Sequence, residues 1–132
     1  VNAAYHYFEQ HGKGHIAVIS SIAGTKGLGS APAYSATKRF QNTYIDALDQ
    51  LAHMKKLNIS FTDIRPGFVA TPLLKDDKYP LLMHTSQVAS QIVKAISRRK
   101  RVAIIDWRYQ LIVFFWKLIP GWLWVRLPVR NQ

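Results

Sequence analysis

Within one stretch of eighteen residues, S-I-A-G-T-K-G-L-G-S-A-P-A-Y-S-A-T-K, the chain carries a hydroxyl at Ser21, a phenol at Tyr34 and an amine at Lys38. That set can move a proton. A free phenol titrates near pH 10, too high for an efficient base at neutral pH. A neighbouring ammonium favours the phenolate, and at ~4 Å with an effective dielectric of ~20 the attraction is about 4 kcal/mol. A shift of 2 to 3 units needs roughly 3 to 4 kcal/mol, so one adjacent lysine is a cause of the right size. Lys38 follows Tyr34 by four positions, one helical turn. Taken singly, each residue has a plainer reading: a hydroxyl ending a strand, an aromatic packed at a helix start, a solvated lysine. Only the combined spacing favours chemistry.

The surrounding pattern supplies elements to hold these groups. Ala3, Ala4, Tyr7 and Phe8 recur at helical steps, and the segment H-G-K-G from His11 stops that helix. Ile16–Ile19 is a short unbroken apolar run, as in strands covered on both faces, and Ser20 and Ser21 end it. A loop with Gly24, Gly27, Gly29 and Pro32 follows. From Ala33 to about His53 the period is helical, with Ala36, Phe40, Tyr44, Ala47, Leu48 and Leu51 on the expected core face. Ser35, Arg39, Asp46, Asp49 and Gln50 fall opposite, and Tyr34 and Lys38 at the border. Ile59, Phe61 and Ile64 mark a second strand broken by Arg65-Pro66-Gly67; a helix is expected over 86–97 with Thr85 as its cap, and Val102–Ile105 is a third strand. Alternating helices and buried-type strands predict a parallel α/β arrangement.

Composition narrows the function classes. The 132 residues are 48% apolar, enough for a core, and carry 18 basic against 7 acidic residues, a net charge of +11. The charge is dispersed, and its one run, Arg98–Arg101, reads as the solvated end of a helix, so nucleic acid is not the expected partner. With no cysteine and no metal-ligand spacing among the five histidines, no metal is expected, and a reducing, cytoplasmic compartment fits. The first residue is Val1 and no leader pattern follows it, so the chain is expected to begin inside a longer protein.

Three motifs then occur in order: I-S-S-I-A-G (Ile19 to Gly24), Y-x-x-x-K (Tyr34 to Lys38) and R-P-G-F-V-A-T (Arg65 to Thr71), with Ser21 thirteen positions before Tyr34. In these the chain resembles the carboxyl-terminal half of the short-chain dehydrogenase/reductase family over about residues 1–105. The resemblance implies the second half of a doubly wound, Rossmann-like parallel sheet and an NAD(P)-dependent oxidoreductase passing hydride between nicotinamide and a carbonyl or alcohol. It implies Tyr34 as general acid/base, Lys38 on the nicotinamide ribose, and Ser21 donating to the substrate oxygen. It also implies Pro66, Gly67, Val69 and Thr71 beside the nicotinamide, Val69 through its backbone and Thr71 through its hydroxyl. A turn explains Pro66 and Gly67 equally well. The glycine-rich phosphate loop of the family has no counterpart here, so NAD and NADP stay undistinguished and the 132 residues alone are expected to be inactive. Asn2 lies nineteen positions before Ser21, too near for the family's asparagine.

Composition shifts near Trp107, dividing residues 1–106 from an apolar, basic helical tail, 107–132. Leu73, Leu74, Leu81, Leu82 and Met83 suggest a greasy wall for a lipophilic substrate and serve as well for core. The tail is interrupted by Lys117 and Pro120-Gly121, so a spanning helix is not expected. It reads as a pocket cover or homo-oligomer contact, or as an interfacial membrane anchor with its tryptophans at headgroup depth. A non-catalytic membrane or scaffold module acting through this tail is the competing function.

Overall fold

Gly12 takes the left-handed conformation (φ 74°) that closes a helix, and so turns helix α1 (Asn2–His11) into strand β1 (Lys13–Ile19). The computed structural model describes residues 1–70, 79 and 81–129. After β1 come a short 3-10 turn (Ile22–Gly24), α2 (Pro32–Met54), β2 (Asn58–Arg65), α3 (Thr85–Ser97), β3 (Val102–Ile104), α4 (Trp107–Leu118) and α5 (Gly121–Trp124). The three strands lie parallel in the order β1-β2-β3, with Ile16 opposite Phe61 and Ile64 opposite Ala103.

Side-chain alternation along β2 divides the core. Ile59 and Phe61 face α1 and α2, packing with Tyr5, Ile45 and Leu48. Ile64 faces the other way, into a cluster with Val88 of α3, Ala103, and Tyr109 and Val113 of α4. Helices therefore lie on both faces of the sheet, as parallel strands require, but the edge strand β1 is only partly covered: Ile16 is buried and Ile19 is 56% exposed, against the reading of that run as covered on both faces. Phe61, 2% exposed, contributes about 1.5–3 kcal/mol through its burial alone.

The expectations for α2, for α3 and for the basic run need correction. The buried side of α2 is Ser35, Asn42, Ile45, Leu48 and Ala52, whereas Phe40 is 66% exposed and stacks on Tyr44 at 5.8 Å. Hydropathy alone misplaces this face, because the polar Ser35 and Asn42 have hydrogen-bond partners inside. Thr85 is not the cap of α3 but its first residue; His84 precedes it, and no side chain caps the helix. The basic run also departs from its reading at one end: Arg98, Arg99 and Lys100 are exposed, but Arg101 binds Asp49 (2.5 Å) and Asp46 (2.7 Å) on α2.

Candidate functional site

The parallel register continues past the end of β1. The N–H of Ser20 donates to the Ile64 carbonyl (2.8 Å) and that of Ile22 to the Pro66 carbonyl (3.1 Å), which fixes Ser21 at the carboxyl edge of the sheet. The Ser21 hydroxyl accepts from the Ala23 N–H (3.1 Å), capping the 3-10 turn, and donates weakly to the Pro66 carbonyl (3.4 Å). It is buried, at the join between the loop and the Pro66 turn.

Tyr34 and Lys38 sit in the first turns of α2, which Pro32 opens with a φ already suited to a helix. Tyr34 is 45% exposed. The Lys38 ammonium lies 5.6 Å from the centre of its ring and donates to the carbonyl of Ile19 (3.3 Å), the last residue of β1. One cation thus bridges the strand that ends beside Ser21 and the phenol on the helix.

Two buried polar hubs beneath these groups escaped the sequence pattern. The Ser35 hydroxyl lies within hydrogen-bond reach of the carbonyls of Ala23 (2.5 Å) and Lys26 (2.8 Å), between which its one proton is shared, and accepts from the Leu28 N–H (3.2 Å), so the residue after Tyr34 shapes the glycine loop. The second hub is Asp63, fully buried in β2. It accepts from Ser20 Oγ (2.5 Å), Asn42 Nδ2 (2.8 Å), and Nε and Nη2 of Arg65 (2.8 and 2.6 Å), while Asn42 also donates to Ser20 Oγ (2.9 Å). Strand β1, strand β2 and helix α2 are thereby pinned at one point next to Ser21. The available signal was a carboxylate next to the core residues Phe61 and Ile64 of the strand, which must find partners if buried.

Gly24 crosses α2 at this place. A Cβ there would lie 2.3 Å from Asn42 Oδ1 and 2.8 Å from the Lys38 carbonyl carbon, so only glycine permits the approach.

Pro66 and Gly67 follow β2 directly. Gly67 is glycine for want of space: a Cβ would stand 2.2 Å from the Tyr109 ring. Tyr109 ties α4 to this turn, its hydroxyl accepting from the Phe68 N–H (3.1 Å) and donating to the Leu81 carbonyl (3.2 Å). Burial pushes this phenol above its ordinary value, against the opposing pull of the Phe68 bond. Val69 bridges Met83 through the Phe68 carbonyl and the Ala70 N–H (3.0 and 2.9 Å). Val69's own N–H and carbonyl are not used by that bridge, and a carboxamide needs one donor and one acceptor of that kind. The residues present therefore fit a nicotinamide amide at this turn. Thr71, like Leu73 and Leu74, lies outside the described residues. Met83 is buried in the core, and Leu81, partly buried, packs against it.

The tail clasps the same loop. Trp124 Nε1 donates to the Gly27 carbonyl (2.7 Å), and its ring meets Trp116 edge-on at 5.4 Å. The Lys26 ammonium lies 5.5 Å from the Trp124 ring and reaches the Ile119 carbonyl (2.5 Å). Between loop and tail opens a cleft of about 830 Å³, walled by Lys26, Leu28, Pro32, Ser35 and Leu127 among others. Ser21, Tyr34 and Lys38 do not line it, so it adjoins the trio without containing it. No group of three His, Cys, Asp or Glu among the described residues could hold a metal.

A parallel α/β sheet with helices on both faces, with Ser21 at its carboxyl edge and the Lys38 ammonium tied to the end of β1, defines a nucleotide-type fold. Comparison with known proteins agrees. The family model described as short chain dehydrogenase matches residues 1–80, and the chain belongs to that family. An uncharacterized oxidoreductase of Myxococcus xanthus is 30% identical over 111 residues, 83% of this chain and 43% of the relative. The sepiapterin reductase of Chlorobaculum tepidum is 29% identical over 105 residues, 77% of this chain and 42% of the relative. Among solved structures, a short-chain dehydrogenase/reductase from Burkholderia phymatum in complex with NAD aligns with a TM-score of 0.64 at 16% identity, over 81% of this chain and 48% of that one. The chain thus spans less than half the length of these relatives.

Proposed function

We propose that the full-length protein is an NAD(P)-dependent oxidoreductase acting on a carbonyl or alcohol, with Tyr34 as its general acid/base. The dinucleotide, when bound, supplies or accepts the hydride. Tyr34 gives its phenolic proton to the carbonyl oxygen in reduction and takes it back in oxidation. Lys38 stabilises negative charge on the phenol as that proton leaves and offers its remaining N–H groups to the ribose. Ser21, whose bond to Pro66 is long and easily exchanged, donates to the substrate oxygen. The backbone of Val69 orients the carboxamide from the turn after Pro66 and Gly67, with Thr71 beside it.

The observation that carries this reading is the Lys38 ammonium, which lies over the Tyr34 ring and bonds the last carbonyl of β1. The relatives, a sepiapterin reductase among them, and the NAD complex of a structural neighbour support it. In the complete protein, Tyr34→Phe should lower carbonyl-dependent NAD(P)H oxidation by roughly 100-fold or more, the usual weight of a general acid. Lys38→Met should weaken both turnover and cofactor affinity. Wild-type turnover in Tyr34→Phe would reject the assignment. A scaffold working only through its tail would need neither residue, and would show no cofactor turnover with any carbonyl.

A further inference from the structure

Helix α4 is apolar on two opposite sides, with Arg108, Gln110 and Lys117 between them, yet only one of those sides is covered. Tyr109, Ile112, Val113 and Trp116 pack inward. At about 100° per residue, Trp107, Leu111, Phe114, Phe115 and Leu118 form a stripe on the opposite side, each between 50% and 66% exposed. Trp122 and Val125 of the next turn are exposed by 65% and 78%. A water-facing helix side is ordinarily polar, and a continuous aromatic stripe of this kind marks a contact surface.

Charge decides what the contact is. From Trp107 to the end the sequence holds four basic residues and no acidic one. Arg108 is partly neutralised by Asp106 (2.9 Å), which leaves, among the described residues, Lys117, at the border of the stripe, and Arg126, 5.9 Å over the Trp122 ring, as outward cations. Pairing two copies through this face would set like charges against each other. An anionic surface would not. Nor can the segment span a bilayer: α4 has 12 residues, about 18 Å of helix against a hydrocarbon thickness of about 30 Å, and no helix among the described residues is long and apolar enough to cross.

We infer that the outer face of α4 and α5 lies in the interface of an anionic lipid membrane, parallel to its plane. Phe114, Phe115 and Leu118 enter the acyl boundary, Trp107 and Trp122 sit at headgroup depth, and Lys117 and Arg126 meet lipid phosphates. The surface is separate from the proton-handling groups, so it stands whether or not Tyr34 is catalytic.

The test is co-sedimentation of the full-length protein with phosphatidylcholine vesicles, with and without phosphatidylglycerol. Binding is expected to the mixed vesicles, to weaken with salt, and to fall roughly tenfold or more in Phe114→Gln/Leu118→Gln. Lys117→Gln/Arg126→Gln should lose the preference for phosphatidylglycerol. These side chains are exposed, so turnover and circular dichroism should stay at wild-type values. Absence of wild-type binding, or equal binding to both vesicles, would overturn the inference. So would a concentration-dependent dimer by sedimentation that Phe114→Gln abolishes, which would assign the stripe to a second copy.

Discussion

Replacing Gly24 with alanine tests whether the serine loop and the tyrosine helix are held in fixed register. The new methyl would stand 2.3 Å from Asn42 Oδ1 and 2.8 Å from the Lys38 carbonyl carbon. Neither neighbour can give way easily. The Asn42 amide is buried and anchored through Nδ2 to both Ser20 and Asp63, and the Lys38 carbonyl belongs to the backbone of a 23-residue helix. Moving from 2.8 Å to an ordinary 3.4 Å contact requires a retreat of about 0.6 Å by the 3-10 turn, carrying Ser21 away from Lys38. Overpacking of this kind costs about 1–3 kcal/mol. Misplacing a reacting group by up to an ångström can cost ~100-fold in rate. Urea denaturation of the full-length protein should show a midpoint lowered accordingly, with a fall in kcat/KM larger than the stability loss explains. Adding Asn42→Ala should relieve the side-chain clash and leave the backbone one, so rescue is only partial. A wild-type urea midpoint together with wild-type turnover in Gly24→Ala would refute the close approach and the register argument built on it.

Removing Asp63 with Asp63→Ala strands the buried Arg65 cation, which should cost about 3–5 kcal/mol; Asp63→Ala/Arg65→Met should recover part of it. Denaturation midpoints measure both, and a near-wild-type Asp63→Ala would mean that the hub is solvated. Tyr109→Phe leaves the Phe68 N–H and the Leu81 carbonyl short of a partner, a loss of about 1–3 kcal/mol at neutral pH. Because burial raises the Tyr109 phenol above its ordinary 10.0, the folded state holds that proton more tightly than the unfolded chain does. The associated stability is complete below about pH 10 and is lost as the pH climbs beyond it. Tyr109→Phe should flatten that alkaline decline relative to wild type in pH-dependent melting, and an unchanged slope would contradict the shift.

The layering was legible because the apolar residues of β2, Ile59, Phe61 and Ile64, are buried as their pattern suggests, whereas in the run Ile16–Ile19 only Ile16 is buried and Ile19 is 56% exposed. Gly12 likewise ends its helix as expected of a glycine with positive φ. The candidate trio was legible as spacing alone; the residues that hold it were not. Ser35 and Asn42 look like surface positions on a helical wheel, and their burial depends on carbonyls and a carboxylate contributed by segments up to 21 residues away. The requirement for Gly67 is set by Tyr109 from across the fold, which no local turn pattern encodes. In the tail, hydropathy could find the apolar residues but could not sort them, since α4 is greasy on its packed side and on its open side alike.

The bond from the Trp124 indole to the Gly27 carbonyl joins positions 97 residues apart. During translation the glycine loop leaves the ribosome long before its fastener exists. Nascent chains halted short of Trp124 should therefore keep residues 25–30 open to proteases, and cleavage there should fall once α5 has emerged.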